Sequence, residues 1–267
     1  MAYTETETYN QLCGLLGDPS VFYQATPYRK GKMKGSKSYS DDFVASFVLQ
    51  ELLAQDGRGC YLKNIKKDTR KEYFDTLRPM RWKDKGSSEE IFQRYLYFDG
   101  PLASDLNDQL HEEEFLWFEL SGQPRKNKGI DLISYNKEEQ RVSIYELKFG
   151  EVNEHLIKAV LEIATYHQRT RFEDFYDHWK KHFEKANKPD SHFDNLDLVF
   201  DVNNVRKVVL IDERTLAADQ WKHIGDYPHV LELIELLGIT VIVFEGAKYS
   251  IQSMKEHMSK FMNKRKN

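Results

Sequence analysis

Two consecutive segments decide the fold of this chain: GIDLISY at residues 129–135 and RVSIYELKF at residues 141–149. Both segments are rich in branched and aromatic residues, which favour β-strands. The polar residues 136–140 between them favour a tight turn. The sequence therefore predicts a β-hairpin.

This hairpin brings acidic side chains together, because side chains alternate between the two faces of a strand. Glu146 and Lys148 share one face of the second strand. A turn with an even number of unpaired residues, for instance Glu138 and Glu139 alone, places Asp131 directly opposite Glu146, with Cβ atoms roughly 4.5–5.5 Å apart. Two carboxylates this close repel each other unless a positive group lies between them. Hard divalent cations take oxygen ligands, so the pattern predicts a site for Mg²⁺ or Mn²⁺.

The alternative for this stretch is a surface hairpin with ordinary charges. An exposed ion pair between Glu146 and Lys148 would contribute little to stability. However, Val142 and Ile144 make the same face largely apolar, and charges on an apolar face need a compensating partner. We therefore favour a functional role for the charged residues.

The arrangement of Asp131 followed by Glu146-Leu147-Lys148 on a hairpin resembles the active-site pattern of the PD-(D/E)XK nuclease superfamily, which has the restriction-endonuclease-like fold. The resemblance continues on a helix predicted at about residues 153–170. There Glu162 and Tyr166, four residues apart on one face, resemble the Gln-x-x-x-Tyr element that many members carry after the Glu-x-Lys strand. The order strand, strand, helix, strand also matches, and the resemblance covers residues 86–215.

Two positions depart from the superfamily pattern. Ile130 stands where proline is usual, which matters little because that proline is not a ligand. Glu162 stands where glutamine is usual, which puts the role of this position in question.

Members of the superfamily often carry a further glutamate on the helix before the hairpin. Residues 87–98, SSEEIFQRYLYF, predict such a helix, with Ser87 or Ser88 as its cap. Glu89 falls near the edge of the apolar face of this helix, whereas Glu90 points almost opposite. We therefore expect Glu89 to join the site; the alternative is an acid that favours the helix dipole in the first turn.

The resemblance implies an α/β fold: a restriction-endonuclease-like mixed central sheet flanked by helices, at residues 86–267. Residues 1–85 would form an N-terminal, mostly helical extension or a small helical lobe. Further elements of the α/β pattern are strands predicted at 205–213 and 239–245 and helices predicted at 41–54 and 227–237. Residues 171–195 are predicted to continue as helix and then to break near Pro189. No Gly-rich phosphate loop or nucleotide fingerprint is present, so the sequence predicts no organic cofactor.

The resemblance also implies a function, that of a metal-dependent nuclease that hydrolyses phosphodiester bonds of nucleic acid, with DNA favoured over RNA as the substrate. Asp131 and Glu146 would hold Mg²⁺ or Mn²⁺, with the Leu147 carbonyl and Glu89 as further ligands. Lys148 would orient or help deprotonate the attacking water. Glu162 would join the site directly or through water, and Tyr166 would brace it or a phosphate.

Two alternatives remain open on the sequence. One is a catalytically silent nucleic-acid-binding or assembly module of the same fold. The other is an interaction protein with no role in nucleic-acid chemistry. The sequence also leaves open whether the protein forms a homodimer.

Charge is distributed unevenly along the chain, which has 267 residues and a net charge of −4. Residues 28–85 contain 15 Lys/Arg against 8 Asp/Glu, a net charge of +7, so the remainder carries −11. A basic segment attached to an acidic body is compatible with contact to nucleic acid at one place. We expect Lys30, Lys32 and Lys34 to bind phosphate there, together with Lys148 at the site.

Composition predicts a globular protein of the cytoplasm. An apolar fraction of 40% supports a sizeable core, and no apolar run approaches the length of a membrane helix. Two cysteines, Cys13 and Cys60, suggest free thiols in a reducing compartment. Residues 111–114, HEEE, predict a solvated acidic run.

Overall fold

The structure, a computed structural model, describes residues 41–53, 85–99, 103–115, 130–136, 138–169 and 204–264. Its elements in chain order are α1 (Asp41–Leu53), α2 (Ser88–Asp99), α3 (Ala103–Leu106), β1 (Glu113–Phe115), β2 (Leu132–Asn136), β3 (Arg141–Lys148), α4 (Leu156–Arg169), β4 (Arg206–Asp212), α5 (Leu216–Lys222), α6 (Pro228–Leu237), β5 (Ile239–Phe244) and α7 (Ile251–Lys264). The basic positions Lys30, Lys32 and Lys34 and the helix predicted at 171–195 lie outside the described residues.

A mixed sheet forms the centre of the molecule, with strand order β1-β2-β3-β4-β5. The first three strands pair antiparallel, whereas β3, β4 and β5 pair parallel. Helices cover both faces of this sheet, which confirms the predicted α/β class with a mixed sheet flanked by helices. The predicted strands and helices within the described ranges are present, with small shifts at their ends.

Alternation along β3 separates two cores. One face of the sheet packs Val142 and Ile144 against α1, α4 and α6. The other face packs Tyr145 and Leu147 against α2 and α7, where the ring of Phe92 stacks on that of Phe149 at 4.1 Å. β3 is therefore buried on both sides, as is typical of a strand in the middle of an α/β sheet.

The hairpin has the predicted register. Leu132 pairs with Tyr145, and Asn136 pairs with Arg141. The turn is held by the Glu139 N–H, which donates to the Asn136 side-chain oxygen at 2.9 Å. An even number of residues between the paired ends is confirmed, and it keeps the side chains of both strands on their predicted faces.

Helix α1 comes from the predicted N-terminal extension, yet it packs into the core of the α/β unit. Val44 and Val48 belong to the same apolar cluster as α4 and α6. At its N-terminus, Asp42 accepts hydrogen bonds from the backbone and ring N–H groups of His229 at 2.7 and 2.6 Å. The part of residues 1–85 that the structure describes is thus joined to the sheet, and the boundary predicted at residue 85 is untested elsewhere.

The acidic run at 111–114 is not uniformly solvated as predicted, because Glu113 is buried. Its carboxylate accepts hydrogen bonds from three hydroxyl groups and faces two guanidinium groups: those of Ser134, Ser143, Tyr145, Arg141 and Arg206. The paired strands supply these partners, and a sequence pattern confined to residues 111–114 does not include them. None of the helices in the described ranges is long and apolar enough to cross a bilayer.

Candidate active site

The open end of the hairpin brings the predicted acidic residues together. Extending the register by one residue beyond the Leu132–Tyr145 pair places Asp131 level with Glu146. The Asp131 carboxylate, one residue before β2, accepts a hydrogen bond from the Leu147 N–H at 2.9 Å. Asp131 is close enough to Glu146 to raise its pKa. The two carboxylates therefore meet at one end of the sheet, as the sequence predicted.

Lys148 lies at the centre of this site with only 2% of its surface exposed. Its Nζ atom contacts three carboxylates, with distances of 2.6 Å to Glu146, 2.8 Å to Glu154 and 3.1 Å to Glu162. Burial alone would lower the pKa of Lys148, but the surrounding carboxylates raise it well above its usual value. Its ammonium group donates hydrogen bonds to Glu146 and Glu162, and its contact with Glu154 is an ion pair.

Glu146 is the carboxyl group of the site whose charged form is the least favoured. Burial first, and then repulsion from Asp131 and Glu162, raise the pKa of Glu146 well above its usual value, although Lys148 opposes this. Its Oε2 atom is buried and has no hydrogen-bond partner among the described residues. In its protonated form Glu146 donates a hydrogen bond to Glu162, which also raises the pKa of Glu146. In its charged form the buried oxygen is costly unless something positive binds it.

Helix α4 contributes the second half of the site. It packs against β3 so that Glu162 reaches Lys148, and the Oε1 atom of Glu162 lies 3.7 Å from the Nζ atom of Lys158. Burial opposes ionisation of Glu162, but Lys148, then a hydrogen bond with Glu146, and then Lys158 lower its pKa. Glu162 is thus held as a carboxylate between two ammonium groups.

Helix α2 separates its two candidate glutamates as the sequence predicted. Glu90 forms a capping box, in which Ser87 N–H donates to Glu90 at 3.0 Å and Glu90 N–H donates to the Ser87 hydroxyl at 3.2 Å. Glu89 instead contributes to the raised pKa of Lys148. On the same face of α2, the Gln93 side chain donates to the Asp131 carbonyl. The helix therefore contacts the site through Gln93, and Glu89 lies close enough to act on Lys148 electrostatically.

Tyr166 follows Glu162 by one turn, and the structure places it in the apolar core with 4% of its surface exposed. Its predicted contact with the site or with a phosphate stays a prediction.

The sequence analysis missed two charged residues of the site, Glu154 and Lys158. Glu154 lies between β3 and α4, where its carboxylate contacts the ammonium groups of both Lys148 and Lys158. Burial opposes the shift, but Lys148 and Lys158 lower the pKa of Glu154 to about 2. A signal was present: Glu154, Lys158 and Glu162 follow one another at intervals of four residues, the spacing of side chains that meet along a helix.

A buried aspartate fixes the end of β3 next to the site. Asp212, at the end of β4, accepts a hydrogen bond from the Gly150 N–H at 2.9 Å and from the Arg214 Nε–H at 3.0 Å. The Arg214 guanidinium also lies 5.5 Å from the centre of the Phe149 ring. Gly246 permits this packing, because a Cβ atom there would lie 2.1 Å from the Asp212 carboxylate. These contacts hold the backbone immediately after Lys148.

The donor set suits a hard cation. Oxygen atoms dominate the site, and the Glu146 Oε2 atom is buried without a partner among the described residues. The described ranges contain no group of three His, Cys, Asp or Glu side chains arranged as a metal cage. Mg²⁺ usually needs no such cage, because it binds to one or two carboxylates and completes its shell with water and substrate. The facing carboxylates of Asp131 and Glu146 therefore fit Mg²⁺ or Mn²⁺.

Comparison with protein-family models, with curated proteins and with solved structures finds no match for this chain. The function must therefore be inferred from the chemistry of the site.

Proposed function

We propose that the protein is a metal-dependent nuclease of the PD-(D/E)XK type, with a restriction-endonuclease-like arrangement of its sheet. Its substrate would be a phosphodiester of nucleic acid, with DNA favoured over RNA. One observation carries this proposal: a buried lysine contacts Glu146 of its own strand and Glu162 of the next helix, at the hairpin end where Asp131 lies level with Glu146. A hairpin with ordinary surface charges would expose these groups.

In this proposal Asp131 and Glu146 hold Mg²⁺ or Mn²⁺, with the Leu147 carbonyl and Glu89 as further candidate ligands. When bound, such an ion makes its water more acidic and neutralises charge on the phosphate. The Leu147 N–H and the Gln93 side chain position Asp131 through its carboxylate and its carbonyl, respectively. The chain thus orients its first acidic ligand from two directions.

Lys148 has the role of a cation in this mechanism. Its neighbours keep it protonated, so it would orient the attacking water and stabilise the charge that grows on the phosphate in the transition state. Glu146, at 2.6 Å, fixes the direction of its side chain. Glu162 would hold Lys148 and Lys158 in place, and Tyr166 would support the helix behind it.

The test is cleavage of linear duplex, circular duplex and single-stranded DNA, and of RNA, in Mg²⁺, in Mn²⁺ and in EDTA. We expect products with either ion and none in EDTA. Glu146→Gln and Lys148→Ala should each lower the rate by about 100-fold or more, because each removes charge that acts mainly on the transition state. Glu151→Gln provides a matched control, since Glu151 is an exposed acid of the segment after β3. Undiminished cleavage by Glu146→Gln and Lys148→Ala would place the active site elsewhere.

The burial of Lys148 favours one second candidate, a module of the same fold that binds nucleic acid or assembles with a partner without cutting. Three carboxylates surround this ammonium group, and two of them accept its hydrogen bonds, so a substrate would have to displace a carboxylate to reach it. Binding of DNA without products in Mg²⁺ or Mn²⁺ would support this candidate over the nuclease.

A further inference from the structure

The carboxylate of Glu154 is bound as an anion between two ammonium groups. Its Oε2 atom lies 2.8 Å from the Nζ atom of Lys148, and its Oε1 atom contacts the Nζ atom of Lys158. A bridging oxyanion with one oxygen on each of two cations is also the way in which a phosphodiester group is bound by lysines.

We propose that the place of the Glu154 carboxylate between Lys148 and Lys158 is the binding site of the scissile phosphate. Glu154 is its displaceable occupant, and Lys158 is a second phosphate-binding residue. The nature of the ligand, a phosphodiester, rests on the proposed nuclease function.

The carboxylates around Lys148 require a displacement. Its Nζ atom donates to Glu146 and Glu162 and is paired with Glu154 at 2.8 Å, so a phosphate can contact this ammonium group only where one carboxylate leaves. Glu146 and Glu162 are buried side chains of a strand and a helix. Glu154 belongs to neither element, and 29% of its side chain is exposed. Of the three carboxylates, Glu154 is the one that can turn into solvent.

The backbone around Glu154 allows this turn without a larger rearrangement. On one side, the Leu216 N–H donates to the Val152 carbonyl at 3.2 Å. On the other side, the His155 ring contacts Asp41 at 2.7 Å, and the Leu156 N–H donates to the Gln220 side chain at 2.8 Å. Fixed neighbours on both sides mean that rotation of the Glu154 side chain alone is enough to open the site.

Lys158 is placed to remain when Glu154 leaves. It lies in the first turn of α4, and Glu162 holds it from one turn further along, with 3.7 Å between Nζ and Oε1. Its position near the N-terminus of a helix of 14 residues adds a favourable dipole for an anion. Lys148 and Lys158 would therefore form a cradle with two positive charges for one phosphate.

The Glu154 carboxylate competes with a phosphate for the two lysines at every pH at which a nuclease would be assayed. The two lysines lower the pKa of Glu154 to about 2, so its carboxylate stays charged under all conditions in which a nuclease would be assayed. Glu154→Gln keeps the size of the side chain and removes the charge that both lysines attract. The Glu154→Gln variant should therefore bind an anion such as phosphate about tenfold more tightly than the wild type does.

Binding of inorganic phosphate tests this anion site independently of cleavage. The measurement is the rise in unfolding temperature on addition of phosphate, compared among wild type, Glu154→Gln, Lys158→Gln and the double variant. We expect phosphate to bind Glu154→Gln about tenfold more tightly than wild type. This gain should disappear in the double variant, because it needs Lys158. Glu151→Gln and Lys222→Gln, exposed changes of the same charge, should behave as wild type.

A second probe, a labelled DNA duplex with Ca²⁺ as the divalent ion, should show the same order of affinities. Unchanged or weaker phosphate binding by Glu154→Gln, or a gain that survives in the double variant, would overturn the cradle. If Glu154→Gln binds phosphate more tightly only when Lys158 is present, but the protein neither binds nor cuts nucleic acid, the anion site between Lys148 and Lys158 would be supported. The same result would overturn the nuclease function and with it the assignment of the ligand as a phosphodiester.

Discussion

Replacing Lys148 by methionine isolates the electrostatic role of this buried cation. Methionine keeps most of the apolar length of the side chain and removes the Nζ atom, which contacts Glu146 at 2.6 Å, Glu154 at 2.8 Å and Glu162 at 3.1 Å. Glu146 and Glu162 are both almost fully buried, so they would be left in the interior without this cation. Removing one partner of a buried ion pair typically costs about 3–5 kcal/mol. We expect a loss of about 3 kcal/mol at pH 7, because Glu146 can relieve part of the repulsion by taking up a proton.

The loss should depend on pH with a definite sign. Lys148 lowers the pKa of Glu162 and opposes the raised pKa of Glu146, so its removal raises the pKa values of both. A carboxyl whose pKa is raised in the folded state binds more protons there than in the unfolded chain. Stability therefore falls as the pH rises from the unfolded value of about 4.3 through the raised value. The deficit of Lys148→Met should accordingly be smaller at pH 5 than at pH 7.

Urea unfolding in EDTA, at pH 5 and at pH 7, measures both quantities. Lys222→Met on α5 provides the control, since an exposed lysine should change stability by less than about 0.5 kcal/mol. A deficit below about 1 kcal/mol at pH 7, or one of equal size at both pH values, would refute the reasoning that Lys148 compensates a buried excess of negative charge.

Three further predictions concern other parts of the molecule. Glu146→Gln should raise stability at pH 7 by about 1 kcal/mol in EDTA, because it removes a carboxyl whose pKa is raised, and the gain should vanish near pH 4, as thermal unfolding would show. Gly246→Ala should lower the free energy of unfolding by about 2 kcal/mol, since its Cβ atom would lie 2.1 Å from the buried Asp212 carboxylate, whereas Gly225→Ala has open space and should be neutral. Alanine at the three basic positions Lys30, Lys32 and Lys34 should reduce the salt dependence of DNA binding. The slope should fall by about 0.9 for each phosphate that these lysines bind in the wild type, and an unchanged slope would mean that the segment does not touch phosphate.

The sequence predicted the hairpin and the meeting of its charges because both depend on local rules. Strand alternation and an even turn are enough to place Asp131 level with Glu146. The apolar face of α2 likewise separated Glu89 from Glu90, and Glu90 forms a capping box with Ser87. Glu89 acts on the pKa of Lys148, and its role as a metal ligand stays a prediction.

The parts that the sequence did not predict depend on tertiary contacts. Glu113 is buried because hydroxyl and guanidinium groups from other strands surround it. Helix α5 has only seven residues, too few for an apolar period, and its one local signal is Thr215, whose hydroxyl accepts a hydrogen bond from the Ala218 N–H at 3.1 Å. The spacing of Glu154, Lys158 and Glu162 indicates that they meet, but the contact of Glu154 with Lys148 depends on the packing of α4 against β3.

If the proposed function holds, the charge balance of the site explains the glutamate at position 162, where the PD-(D/E)XK pattern has glutamine. Glu162 adds a negative charge, and Lys158 one turn earlier compensates it at 3.7 Å. When all groups are ionised, the four carboxylates of Asp131, Glu146, Glu154 and Glu162 lie around the ammonium groups of Lys148 and Lys158, and Glu89 on α2 adds a fifth negative charge that acts on Lys148. The five acids exceed the two cations by three charges, so one divalent cation would offset most of the excess. If a phosphodiester, which carries one negative charge, takes the place of the Glu154 carboxylate, the balance is unchanged. Under the proposed function, substrate binding would therefore exchange one anion for another, and the buried site would not have to accept additional net charge.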